Sequence, residues 1–183
     1  IAGAEPAVLI LAAGTYRGPV SARASLAIIG AGTALTTIEA SDDGPVLSAT
    51  DLTEATIALG WLSIRGGQHG LVANGLADLY AINVDVHQSA VHAVRLSQVN
   101  TAAFLRCSFR GVPGDAVEHP LIKIDATGVA IFKSIIGQHG GPGFKAEFAE
   151  TDELDCQQSP VCPFSNFVFL EDVLVESVVD RGI

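Results

Sequence analysis

Arg95, Lys123 and Lys145 each stand two positions ahead of a polar residue, namely Ser97, Asp125 and Glu147. Guanidinium and ammonium groups hold anions such as carboxylates. Asp125 and Glu147 set two carboxylates beside them, a combination that suits cation binding or proton transfer. The same residues read equally well as a self-neutralised surface ladder, where each pair is worth under about 1 kcal/mol. His69, His87, His119 and His139 fall in nearby segments, and His92 comes three residues before Arg95. Gly-Gly-Gln-His-Gly (66–70) and Gly-Gln-His-Gly-Gly (137–141) share a tetrapeptide. Imidazole titrates near neutrality, which suits proton transfer or ligand binding. The glycines also suit a tight corner at which Gln-His is merely a solvated pair.

Cys156 and Cys162 flank Gln-Gln-Ser-Pro-Val inside an acidic, proline-bearing stretch, 149–165. With little apolar material to hold it, that insertion would be clipped by a short disulfide, pointing outside the cytoplasm. Two reduced surface cysteines are the alternative. No histidine lies near them in sequence, so no metal site is expected. Cys107 sits at an apolar position and reads as an inert buried thiol.

These residues need a scaffold. The chain has 183 residues, 49% of them hydrophobic, 16% charged and 6% aromatic. That mixture is too apolar for disorder and too poorly charged for a coiled coil. No apolar run reaches the roughly 18 residues of a membrane span. Twenty acidic against ten basic residues give a net charge of −10, which makes nucleic acid a poor partner. No signal-peptide pattern opens the sequence, and it reads as a single domain, 1–183, trimmed from a longer chain.

Helical periodicity is nearly absent. Instead, two alternating apolar residues, a one-residue kink and two more recur, first as Ile57, Leu59, Leu62 and Ile64. The pattern returns from Leu79, Ala102, Val129 and Phe167, at separations of 22, 23, 27 and 38 residues. A second alternation lies between the copies: Leu47/Ala49, Leu71/Ala73, Val94/Leu96, Ile122/Ile124 and Phe144/Ala146. Three short strands per turn of about 22–27 residues, with loop insertions, predict an all-β, single-stranded parallel β-helix. Asn74-Gly75 is the one Asn-Gly dipeptide in the sequence, and so thin a hairpin signal argues against a sandwich. The predicted core stacks Leu59, Ala81, Phe104, Ile131 and Phe169. Outward rows run Ser48–Val72–Arg95–Lys123–Lys145 and Thr50–Asn74–Ser97–Asp125–Glu147. A kink row runs Trp61–Asn83–Arg106–Lys133–Glu171, where an exposed Trp61 could stack on a sugar or simply cover a corner.

The opening, Leu-Ala-Ala-Gly-Thr-Tyr-Arg-Gly (11–18), Leu-Ala-Ile-Ile-Gly-Ala-Gly (26–32) and Thr-Thr-Ile-Glu-Ala (36–40), resembles the first coils of the pectin-lyase-like right-handed β-helix superfamily. The resemblance implies a right-handed coil, an incomplete N-terminal cap at residues 1–4 and a polysaccharide groove on the sheet after the long loops. Loops 110–120 and 137–143 would wall that groove, and Arg95, Lys123, Lys145, Asn74 and His139 would contact the sugar. The polygalacturonase, pectin methylesterase and pectate lyase signatures are missing; Asp125 and Glu147 with Arg95 or Lys123 are a thin version of the last. The expectation is a secreted or cell-surface module that binds acidic polysaccharide or serves a structural role without catalysis or cofactor. The alternative is a polysaccharide lyase or glycoside hydrolase with Arg95, Lys123, Asp125 and Glu147 as catalytic candidates and Ca2+ as possible cofactor. An ice-binding or self-assembling solenoid is a third reading, and it lacks a regular Thr-x-Thr array.

Overall fold

The computed structural model describes residues 5–40, 43–111, 121–125, 129–136, 144–147, 167–170 and 174–175. All of its regular structure is β. The strands are β1 (Ala7–Ile10), β2 (Gly14–Arg17), β3 (Val20–Ala22), β4 (Leu26–Ile29) and β5 (Thr36–Ala40). Three long, cornered strands follow: β6 (Pro45–Gly66), β7 (His69–Ser89) and β8 (His92–Gly111). After them come β9 (Ile122–Asp125), β10 (Val129–Ile136), β11 (Phe144–Glu147), β12 (Phe167–Leu170) and β13 (Leu174–Val175). Every pairing is parallel, and the strands stack as a β-solenoid of about four turns.

Each full coil has three sides. Leu47–Thr50, Ile57–Gly60 and Leu62–Arg65 of β6 pair with 71–74, 79–82 and 84–87 of β7. The next coil continues through 94–97, 102–105 and 108–110 of β8. Single residues in the left-handed region turn two of the corners. Asp51, Gly75 and Gln98 have φ of 58°, 60° and 52°, and Trp61, Asn83 and Arg106 have 52°, 50° and 53°. Each such residue bends the chain and also resets the alternation. Leu59 points inward, Gly60 and Trp61 follow, and Leu62 points inward again. That is the physical content of the one-residue kink in the sequence.

The inward positions make one continuous core. Leu59, Ala81 and Phe104 stack in register and are all buried. Phe104 meets Phe109 edge-on at 5.6 Å between ring centres, a favourable aromatic geometry. Cys107 is a buried thiol whose Sγ lies 3.5 Å from the Ala81 carbonyl oxygen. Gly70 is required by close approach. A Cβ there would press into Val86 and stand 2.7 Å from the Ala93 carbonyl oxygen.

The register departs from the sequence expectation at β10. Phe104 pairs with Phe132 rather than Ile131, and Leu105 pairs with Lys133. Ile131 does pair with Phe169, as expected. Lys133 therefore continues the sheet row Gly60–Ile82–Leu105 instead of the kink row. Beyond the next corner the pairing of Phe109 with Ile136 agrees with the sequence, the slip being absorbed between Lys133 and Ile135. Ile136 then pairs with Val175, one residue past the expected Leu174. Residues 1–4, Glu171, the insertion 149–165 with Cys156 and Cys162, and loop segments 112–120 and 137–143 lie outside the described residues.

Candidate functional site

On the first face of the solenoid the two outward rows form as their offsets require. Val72 pairs with Arg95, Arg95 with Lys123, and Lys123 with Lys145. Beside them Asn74 pairs with Ser97, Ser97 with Asp125, and Asp125 with Glu147. Parallel pairing sets successive members about 4.8 Å apart along the coil axis. Within its own strand Lys123 Nζ lies 3.6 Å from Asp125 Oδ2, both half-buried. Arg95 is exposed and makes no ion pair with a described residue. Its described side chains offer cations on two consecutive coils, Arg95 and Lys123, with the Asn74 amide, the Ser97 hydroxyl and the Asp125 carboxylate alongside; backbone register places Lys145 and Glu147 on the next coil. His139 lies outside the described residues, as does His119.

Gln68 is exposed, as a solvated corner requires, but its neighbour His69 is half-buried and faces His92. The two histidines pair across consecutive coils, with ring centres 5.2 Å apart and planes 14° apart. His92 is only 5% exposed. The backbone that brings them together depends on Gly67, at φ 66°, and on the close packing of Gly70.

The third face carries a longer row that the sequence reading missed. Arg17, Glu39, Arg65, His87 and Arg110 are partners on five successive coils. Arg17 Nε donates to Glu39 Oε1 at 2.8 Å, and Arg65 Nη1 lies 3.9 Å from Glu39 Oε2. Arg65 Nε donates to Gln88 Oε1 at 2.9 Å, and Arg110 Nη2 donates to Asp85 Oδ2 at 2.6 Å. A parallel row, Thr15–Thr37–Ser63–Asp85–Ser108, adds the hydroxyls of Thr15, Thr37 and Ser108, while the buried Ser63 Oγ donates to the Thr33 carbonyl oxygen at 2.6 Å. A groove of about 530 Å³ runs beside the first three members of the Arg17 row, lined by Arg17, Glu39, Arg65 and Gln88 with Gly18, Ala40 and Gly66. Burial lowers the pKa of His87 below the usual 6.5; the Arg110 and Arg65 charges add to this and Asp85 opposes it. The signal was available, because each of Arg65, His87 and Arg110 directly follows the last inward residue of its copy: Ile64, Val86 or Phe109.

Trp61 is exposed at its corner, and Tyr80, Ile82 and Leu105 are exposed on the second face. No helix long and apolar enough to cross a membrane occurs among the described residues. Nor does any cluster of three potential metal ligands occur among them.

The molecule is thus a parallel β-solenoid with two charged outer faces. No family model matches the chain, and no curated protein matches it. Among solved structures it is similar to ORF18 of Geobacillus virus E2, with a TM-score of 0.61 at 14% identity. The match covers 80% of this chain and 33% of the viral protein, so the chain spans about a third of that protein's length. At that identity the likeness carries the fold alone.

Proposed function

We propose that this solenoid is an extracellular or cell-surface module that holds an acidic polysaccharide along its first face, without catalysis. The observation that carries the reading is the row Arg95–Lys123–Lys145. Three cations at one offset on successive coils match a polymer with one carboxylate per sugar, since both repeat at about 5 Å. Their alignment in a chain of net charge −10 runs against its average surface. Asn74, Ser97, Asp125 and Glu147 would hydrogen-bond sugar hydroxyls on the neighbouring row. Membership of the pectin-lyase-like superfamily, export and a Cys156–Cys162 disulfide complete the reading and rest on the sequence.

Titration of the full chain with oligogalacturonate and with neutral dextran tests it. Binding of the acidic polymer alone is expected, weakened about tenfold by Lys123→Ala with Lys145→Ala and less sensitive to salt. Unchanged affinity in that variant would reduce the row to a surface ladder. Unsaturated product in the wild-type mixture would move the assignment to a lyase.

A further inference from the structure

We infer that the third face is a second saccharide site, at which Arg17, Arg65 and Arg110 hold carboxylate or sulfate groups that recur once per disaccharide. The inference shares the class of ligand with the proposed function but neither its residues nor its face.

Spacing is the first argument. The three arginines occupy alternate coils, with Glu39 and His87 between them. Two coil repeats are about 10 Å, close to one disaccharide of an extended pyranose chain. Glu39 at the intervening coil would repel an acid group on every sugar, which separates this face from the first. The hydroxyls of Thr15, Thr37 and Ser108 and the amide nitrogen of Gln88 supply partners for the uncharged ring between acid groups.

Preorganisation is the second. Each guanidinium has five N–H donors in a rigid fork. The ion pairs and hydrogen bonds of this face engage only part of each fork, through Nε of Arg17, Nε and Nη1 of Arg65, and Nη2 of Arg110. The side chains of Arg17, Arg65 and Arg110 remain 83%, 52% and 53% exposed. Glu39, Gln88 and Asp85 therefore fix the arginines by one edge and leave other donors facing water. A ligand meeting forks already oriented loses less side-chain entropy on binding. The groove beside Arg17, Glu39 and Arg65 is large enough for sugar rings, and Arg110 would meet the chain where it leaves that groove.

His87 makes the site responsive to acid. It is flanked by Arg65 on one coil and Arg110 on the other, with Asp85 on its own strand. Neutral at pH 7, it adds a third adjacent cation when protonated, and an anion lying over the row favours that protonation.

The test uses the full chain carrying Lys123→Ala and Lys145→Ala, so that the first face is disabled. A hyaluronan oligosaccharide, with one carboxylate per disaccharide, is compared with oligogalacturonate, with one per sugar, and with a κ-carrageenan oligosaccharide, with one sulfate per disaccharide. Retained binding of hyaluronan or κ-carrageenan in preference to oligogalacturonate is expected, tightening about threefold or more from about pH 7.5 to 5.5. Arg65→Ala with Arg110→Ala should weaken it about tenfold or more, and Arg17→Ala, at the most exposed position, should weaken it without touching the fold. His87→Gln should keep the affinity at neutral pH and lose the gain in acid. No binding at either pH, a preference for oligogalacturonate, or indifference to all the arginine variants would each overturn the inference. If the first-face reading alone is wrong, wild-type binding will ignore the lysine pair and still follow the arginine pair.

Discussion

The second and third faces share a backbone and differ in what they show to water. Both are built from parallel strands in the same coils, with one side chain in two buried, and they meet at Trp61, Asn83 and Arg106. Outward on the second face stand Ala58, Tyr80 and Ala103 beside Gly60, Ile82 and Leu105, a row that Lys133 continues on the next coil. Outward on the third stand Asp85 and Ser108 beside Arg65, His87 and Arg110, while Ser63 of the same row is buried. Coil stacking constrains only the inward set, since burial of Leu59, Leu62, Ile64 and their partners drives it. The outward set is therefore where one face can differ from another at little cost in stability. Charge on a face of a solenoid is information about ligands before it is information about folding.

The comparison breaks if inward and outward positions prove energetically alike. Phe104 is 1% exposed and its neighbour Leu105 is 37% exposed, on the same strand. Phe104→Ala should cost about 3–5 kcal/mol in urea unfolding, because it leaves a cavity above Ala81. Leu105→Ala should cost about 1 kcal/mol or less, because much of its surface is already hydrated. Equal losses would mean that the alternation across this strand is wrong.

The corner that joins the faces gives a smaller effect of opposite sign. Arg106 adopts φ of 53°, a conformation that disfavours a residue with a Cβ. Arg106→Gly should raise stability by about 0.5–1 kcal/mol, the relief of that strain less the added entropy of the unfolded chain. Asn83→Gly, at the equivalent corner one coil earlier, should gain less because Asn tolerates this region. Thermal melts of the two variants measure the difference. Loss of stability in Arg106→Gly would show that its side chain holds the corner.

Most of the scaffold was legible because alternation and kink are both visible as spacing. Ile57, Leu59, Leu62 and Ile64 state the two strands and the single residue between them. The first-face cation row followed from the same offsets. At β10 the reading slipped by a residue because Val129-Ala130-Ile131-Phe132 is apolar at every position, so a period of two has no phase to fix. Leu174-Val175 is ambiguous for the same reason. The shared tetrapeptide tied His69 to His139, whereas coil position stacks His69 on His92, whose flanks are Val91 and Ala93. Likeness of local sequence reports the needs of a corner; adjacency follows from the count of residues around the coil. The row of the third face was equally countable, since Arg65, His87 and Arg110 each follow the last inward residue of a copy, but its alternation of cation, carboxylate and imidazole hides it from a search for one residue type.

The smallest expected effect sharpens the contrast between the faces. The pKa of His87 is lowered in the folded chain, chiefly by burial and further by Arg110 and Arg65, against the pull of Asp85. The folded state then binds fewer protons than the unfolded state as pH falls through about 6.5. The stability tied to neutral His87 is fully present above that value and is lost as pH drops from there through the folded pKa. His87→Gln, which cannot take a proton, should flatten the fall in urea midpoint between about pH 7 and 5 relative to wild type. A steeper fall in the variant would mean that Asp85 dominates and His87 is charged in the native state. Ligand at the third face should reverse the sign locally, because an anion over Arg65 and Arg110 favours the imidazolium that burial disfavours. Acid would then weaken the empty solenoid at His87 and tighten the loaded one, while the second face, with no such group among Ala58, Tyr80, Ala103, Gly60, Ile82 and Leu105, would respond in neither case.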